Sequence, residues 1–351
     1  MTPIQRVKYA VKVSVAYLLY GLGVLWLWQV IALRRKAVVL MYHRVLTCDE
    51  QRLTGSHPAI IVGRETFAKH MALLKRRFVV LSLDEFADRM ERKIPFPDSS
   101  CLITFDDGWK DNATNAMPVL QRYALPAVVF LPVNYIGANR LFWQEALVHL
   151  TVSAVMAVRE DATRARHLSE LLAAVRLDSI LELPDPDPRS AIIQAIMRSK
   201  GTPPSVMEST LREIGDELGI TLDDLVGTDG FLKWDEVEDM SRNGIAFGGH
   251  GAEHRLLTYV SHDEAKGEID VSKEMLGRRF EKTVPAFSYP NGYFTSEVVA
   301  LVKGAGYRLA FITSRGFVSC ADDPYTIRRL NIHESVTNNT PMFWARVVGL
   351  F

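Results

Sequence analysis

Seven short apolar runs, rich in β-branched and aromatic residues, are spaced along the chain and bounded by turn residues. They are Ala37–His43, Cys101–Phe105, Pro126–Pro132, Ile245–His250, Pro285–Pro290, Tyr307–Thr313 and Tyr325–His333. Their apolar residues run almost without interruption instead of alternating with polar ones. That pattern predicts strands of a parallel sheet buried on both faces. Segments of helical period lie between them: Thr66–Phe78, Leu83–Arg92, Asn112–Tyr123, Trp234–Asn243, Ser261–Phe280 and Thr295–Lys303. Alternation of strand and helix predicts an α/β barrel or an open α/β sheet. In barrels the chemistry gathers at the C-terminal strand ends. The polar residues of these runs fall at such ends: His43, Asp106-Asp107, His250, Asn291 and His333.

Residues 138–230 break the rhythm, with no strand pattern. Amphipathic helical stretches cover roughly 142–158, 160–176, 189–199 and 206–218, separated in part by LPDPDP (183–188) and GTPP (201–204). A connection this long must fold by itself. It is expected to be a helical insertion within the 37–351 barrel, serving as a lid, a membrane-facing cap or a surface for an envelope-biosynthesis protein partner.

The N-terminal region 1–36 differs in kind. Val13–Leu33 is 21 residues without a charge, which a helix would extend to about 32 Å, enough to cross a bilayer core. Its flanks hold Arg6, Lys8, Lys12, Arg34, Arg35 and Lys36, and no acidic residue. A membrane anchor is expected, with orientation left open by the equal basic flanks. Tyr17, Tyr20 and Gln29 also suit a helix that lies in the interface or re-enters. Formal net charge over all 351 residues is zero, so the rest of the chain is acidic overall. Nucleic-acid binding through a basic face is not expected. Cys48, Cys101 and Cys320 form no disulfide framework or zinc-ribbon spacing.

Two stretches carry candidate chemistry. GGHGAEH (248–254) places His250 and His254 four residues apart after a buried strand, and both imidazoles can reach one metal. ITFDDG (103–108) ends a strand with Asp106 and Asp107. One aspartate plus two histidines makes a three-ligand site with open positions, as hydrolytic zinc centres require. The other aspartate then serves as base, and His333 can return a proton from the last strand. His43 either lines the site or is a hydrogen-bonded strand-end histidine. Trp109 either stacks on a sugar or packs in the core.

Taken in order, ITFDDG, HGAEH (250–254), FSYPNG (287–292) and LNIH (330–333) resemble the polysaccharide deacetylases of the NodB homology domain, carbohydrate esterase family 4. LMYHRV (40–45) is similar to the opening strand of the poly-N-acetylglucosamine deacetylases within it. The resemblance covers roughly 37–137 and 231–335. It implies a distorted (β/α)7 barrel and metal-dependent removal of N-acetyl groups from an exopolysaccharide, peptidoglycan or a lipid-linked precursor. The divalent metal would be Zn2+, with Co2+ or Ni2+ as alternatives. It further implies Asp106 as catalytic base, Asp107, His250 and His254 as ligands, His333 as catalytic acid, and Tyr289-Pro290-Asn291 as a groove wall whose main-chain amide binds the oxyanion.

Ser288 stands where many members carry an arginine that pairs with the catalytic aspartate, and the sequence shows no replacement. The acid-tuning Asp-x-x-x-x-Trp motif is also not visible, and Asn291 stands where an aromatic is common. Beside this reading stand deformylation or deacetylation of an undecaprenyl-linked amino sugar, and non-catalytic glycan binding on the same fold. By analogy the expected location is a bacterial inner membrane, with the catalytic part on the extracytoplasmic face and the cytoplasmic face as the alternative.

Overall fold

In the computed structural model, residues 3–182, 187–280 and 285–351 are described. Most of LPDPDP (183–186) therefore lies outside them. The chain forms two compact units. One comprises residues 1–47, 58–137 and 231–351, the other 48–57 and 138–230.

The strands are β1 (Ala37–Tyr42), β2 (Arg44–Leu46), β3 (Ile61–Gly63), β4 (Val79–Val80), β5 (Ser100–Phe105), β6 (Ala127–Leu131), β7 (Ile245–Gly249), β8 (Ala286–Ser288), β9 (Leu309–Phe311) and β10 (Leu330–Asn331). A curled, all-parallel sheet runs β10-β1-β5-β6-β7-β8-β9, with β4 paired beside β5 and β2–β3 a separate pair. Each of the seven predicted runs contributes one strand to this path. The last three are shorter than their apolar runs, because the flanking residues turn into loops and bridges. One such bridge, Phe311 with Ile327, runs parallel between β9 and the segment leading into β10.

The sheet is apolar on both sides, as uninterrupted runs require. β1, β5 and β6 are buried along their whole length. Val39, Leu102, Val128, Phe130, Ala286, Leu309 and Phe311 share one core. Helices connect most of the strands. Two of them, Leu83–Glu91 and His262–Arg279, start with a serine capping box, in which serine and glutamate satisfy each other's main-chain N–H groups. Gly248 and Gly249 in β7 have a packing reason. A Cβ at Gly248 would sit 2.6 Å from the Phe130 ring, and one at Gly249 would sit 2.6 Å from the Ser272 hydroxyl. Bare backbone lets β7 approach its neighbours.

The second unit is helical. Trp143–Glu160, Ala165–Ala174, Arg189–Ala195 and Pro204–Leu218 enclose a core that includes Leu147, Leu150, Leu168, Leu172, Ile192 and Ile214. A polar knot ties the 48–57 segment to it. The buried Asp229 carboxylate accepts from the Thr54 hydroxyl, the Gly55 amide at 2.7 Å and the His149 imidazole at 2.8 Å.

The expected single N-terminal membrane helix is not what forms. α1 (Pro3–Gly21) and α2 (Val24–Ala32) meet at 88°. Among the described residues, no single helix is long and apolar enough to cross a membrane. The break lies at Gly21-Leu22-Gly23. Glycine is a poor helix former, by about 1 kcal/mol against alanine, and Gly23 adopts a left-handed conformation (φ 71°) that stops the helix. α2 is fastened to the fold through Gln29. Its amide nitrogen donates to the Arg77 carbonyl at 2.7 Å, and its amide oxygen accepts from the Trp344 indole at 2.7 Å.

Candidate active site

Four strand ends bring the site together. β5 runs into Asp106 and Asp107, β7 runs into His250, β8 precedes the Tyr289–Gly292 turn, and β1 leads into His43. Parallel pairing aligns these ends on one rim.

Asp107 leaves the strand with a left-handed backbone (φ 74°), and His254 does the same (φ 55°). The turn at Asp107 separates its side chain from that of Asp106. Oδ1 of Asp107 lies 3.4 Å from Nε2 of His250 and 3.4 Å from Nε2 of His254. The three donor atoms all fall within 4.8 Å of one another. Nδ1 of His250 sits 2.6 Å from the Ser288 carbonyl. An imidazole that donates there presents the lone pair of Nε2 to the cluster, the orientation a metal ligand needs. Two imidazoles and one carboxylate form the donor set of an open hydrolytic metal site.

Burial alone would raise the Asp107 carboxyl, but the hydrogen bond from His250 and the neighbouring imidazoles hold it well below the usual range. Burial lowers the His254 imidazole to about 4, so it is neutral and able to ligate at neutral pH. Burial would also lower His250, yet the Asp106 and Asp107 charges bring it out above its ordinary value.

Asp107 has a further partner. The indole N–H of Trp109 donates to its Oδ2 at 3.1 Å. Trp109 is buried, with Phe231 stacked on it at 4.8 Å and the Arg44 guanidinium over the ring at 4.3 Å. Arg44 in turn pairs with buried Asp111 at 2.9 Å. Trp109 therefore packs in the core while orienting the Asp107 carboxylate.

Asp106 is held differently. Arg329 approaches it end-on, with Nη1 to Oδ1 and Nη2 to Oδ2 both at 2.7 Å. The same guanidinium donates to the Thr104 and Ser288 hydroxyls and the Ile312 carbonyl. Both partners are buried, and a buried arginine requires this degree of satisfaction. Burial would raise the Asp106 carboxyl, but the Arg329 charge outweighs it and holds the group below its ordinary range. The arginine that the sequence seemed to lack at Ser288 thus arrives from the segment before β10, and Ser288 makes room for it. Its signal was a basic residue inside an otherwise apolar run, YTIRRLNIH.

Two histidines end neighbouring strands. Met41 of β1 pairs with Asn331 of β10, so His43 and His333 stand at equivalent positions two residues further on. Nδ1 of His43 is buried with no hydrogen-bond partner among the described residues. Burial lowers its imidazole, against the opposing charges of Asp107 and Asp106, so His43 lies in their field. His333 is half-buried at the start of a short helix, its Nδ1 2.7 Å from the Ser335 hydroxyl. Tyr289 is fully buried and its hydroxyl donates to the Tyr325 carbonyl. Its ring is thus a support for the turn. Pro290 is buried, and Asn291 is exposed with a left-handed backbone (φ 55°).

A parallel α/β sheet with an Asp-His-His cluster and a second, clamped aspartate at its rim defines a hydrolase-like site. Comparison with known proteins agrees. The polysaccharide deacetylase family model matches residues 93–168 and 206–310, just over half the chain, and the protein belongs to that family. A 114-residue stretch is 34% identical to the poly-beta-1,6-N-acetyl-D-glucosamine N-deacetylase of Staphylococcus epidermidis, covering 30% of this chain and 39% of that one. Among solved structures, the Streptococcus pyogenes deacetylase PplD in complex with acetate superposes with a TM-score of 0.56 at 17% identity, over 89% of this chain and 98% of the other. IcaB from Ammonifex degensii gives 0.53 at 16%, over 90% and 96%. These structures share the fold. The chain is a polysaccharide deacetylase by family, and its own substrate is a separate question.

Proposed function

We propose that the protein removes N-acetyl groups from an amino-sugar glycan by metal-dependent hydrolysis. The observation that carries this is the division of labour between adjacent aspartates: Asp107 joins His250 and His254, while Asp106 is clamped by Arg329. A binding module has no need of a second, buried and ionised carboxylate beside its metal donors.

A divalent ion held by Asp107, His250 and His254, with zinc the first choice and cobalt or nickel suited to the same donors, would supply Lewis acidity toward water and the amide carbonyl. The protein's own residues do the rest. Asp106, ionised, takes the proton of the attacking water. Arg329 holds both its oxygens and so fixes its orientation. The main-chain amide of Asn291 would serve as the oxyanion donor. The departing amine is protonated by an imidazole at the end of β1 or β10. His43, whose buried Nδ1 has no hydrogen-bond partner among the described residues, is the first choice, and His333 is its neighbour in register.

The named substrate of the staphylococcal relative supports a polymer of N-acetylglucosamine. A lipid-linked amino sugar, deacylated at the same centre, is the second reading, and the apolar N-terminal helices favour it.

The test is acetate release from N-acetylglucosamine oligomers by purified protein, with metal content measured in parallel. Chelation and Asp106→Asn should each abolish release. Protein that binds no divalent metal, or an Asp106→Asn variant that keeps its rate, would sink the proposal. Mass spectrometry of lipid-linked sugars incubated with the enzyme separates the two substrates.

A further inference from the structure

The N-terminal helices take no part in this chemistry, yet α2 turns most of its apolar side chains outward. In α2 the buried side chains are Leu25 and Gln29, and Gln29 is hydrogen-bonded at both ends of its amide. The apolar side chains Trp26, Leu27, Val30 and Ile31 point outward and are exposed. A soluble helix does the reverse. Leu18 and Leu22, around the bend, are among the most exposed apolar residues of the chain, at 61% and 68%. Contiguous exposure of this kind marks an interaction surface.

Geometry and charge say what covers it. Beyond Lys12, the uncharged arm Val13–Gly21 has nine residues, as does α2. Each arm is about 13 Å long, well short of a bilayer core of about 30 Å. They meet at 88°. Two such arms inclined equally to a surface form a wedge about 10 Å deep, the depth at which interfacial helices lie. The basic residues stand at the open ends of the wedge: Arg6, Lys8 and Lys12 on one side, Arg34, Arg35 and Lys36 on the other. The pair is fastened to its own unit along both arms. The Tyr9 hydroxyl donates to Asn338, and the Trp28 indole donates to the Val348 carbonyl at 3.0 Å. Beside the bend the Tyr20 ring packs edge-on against Trp344 at 5.8 Å, while Leu22 itself stays exposed.

We propose that α1 and α2 form a monotopic wedge. It enters one leaflet of an anionic bilayer tip first at Leu22-Gly23, and its two basic ends rest among headgroups on the same face. The wedge does not cross the membrane, and the inference stands whatever the substrate proves to be.

The experiment uses full-length protein added to preformed, sealed vesicles of phosphatidylcholine with or without phosphatidylglycerol. Flotation should recover at least ten-fold more protein with the anionic vesicles at low salt. Leu22→Asp combined with Leu27→Ser should lower that recovery at least ten-fold, while acetate release from soluble oligomers stays unchanged. Should the double variant misfold, Lys8→Gln with Lys36→Gln tests the charged ends alone and should weaken recovery several-fold.

Sidedness is read by a membrane-impermeant maleimide on a Lys8→Cys, Cys320→Ser protein, in which native Cys48 is exposed. Positions 8 and 48 should both label from outside. Protection of position 8 means a crossing helix and overturns the proposal. So does flotation indifferent to the tip variant, or a soluble dimer with no vesicle affinity.

Discussion

The guanidinium of Arg329 meets the carboxylate of Asp106 in a bidentate pair, both contacts 2.7 Å, although 223 positions separate the two residues in sequence. This pair converts a buried carboxyl, which burial alone would keep protonated, into an anion able to accept a proton. Removing the guanidinium takes away the largest effect that opposes burial, so the Asp106 carboxyl rises. The acid limb of the pH–rate profile should therefore move to higher pH in Arg329→Lys and further in Arg329→Met. A profile that keeps its acid limb in Arg329→Met would remove this role.

The same pair bears on stability. Because the folded carboxyl is depressed, the pair stabilises the fold above the unfolded carboxyl's range, and that contribution is lost as pH falls through the folded one. Arg329→Met strands a buried charge and should cost about 3–5 kcal/mol at neutral pH. Adding Asp106→Asn should recover part of that loss in chemical denaturation while leaving the protein inactive.

Trp109→Phe keeps the ring against Phe231 and Arg44 but deletes the N–H bound to Asp107. Metal affinity should fall by about 10–100-fold, the usual effect of losing such a supporting bond, with little change in melting temperature. Competition with a fluorescent chelator measures it.

Glu268 supports the other side of the cluster. Buried behind the 250–254 loop, it accepts from the Ala252 and Glu253 amides at 2.9 Å each. Glu268→Gln preserves an acceptor and should retain most activity. Glu268→Ala strands two main-chain donors next to His254, and should lower metal content and acetate release together.

His43 and His333 divide one question between them. His43→Asn should reduce kcat by about 10²-fold or more, the scale of a lost general acid, and His333→Asn by less. The reverse ranking would move the proton donor to β10.

How much of this was legible in the sequence varies residue by residue. The β-strand runs were readable because strands buried on both faces cannot hide their apolar character. The cluster of Asp107, His250 and His254 was readable because its members lie in two short local motifs. Arg329 was not, since its role depends on a parallel register that brings distant segments side by side, and an arginine in an apolar run reads equally well as an edge residue. Trp109 reads as core because it is core, and its indole N–H acts from within the packing. The N-terminal break was written in Gly21 and Gly23, but composition over 21 residues averages them away.

One feature sets a limit on engineering. Asp107, His254 and Asn291 all hold left-handed backbones at the rim. Glycine would relax each of them at once, so a selection for heat resistance would favour it there. At Asp107 and His254 the relaxed chain would have lost a metal donor. Thermostability and turnover therefore compete for the same positions, and a hardier version of this enzyme must gain its stability away from the mouth of the sheet.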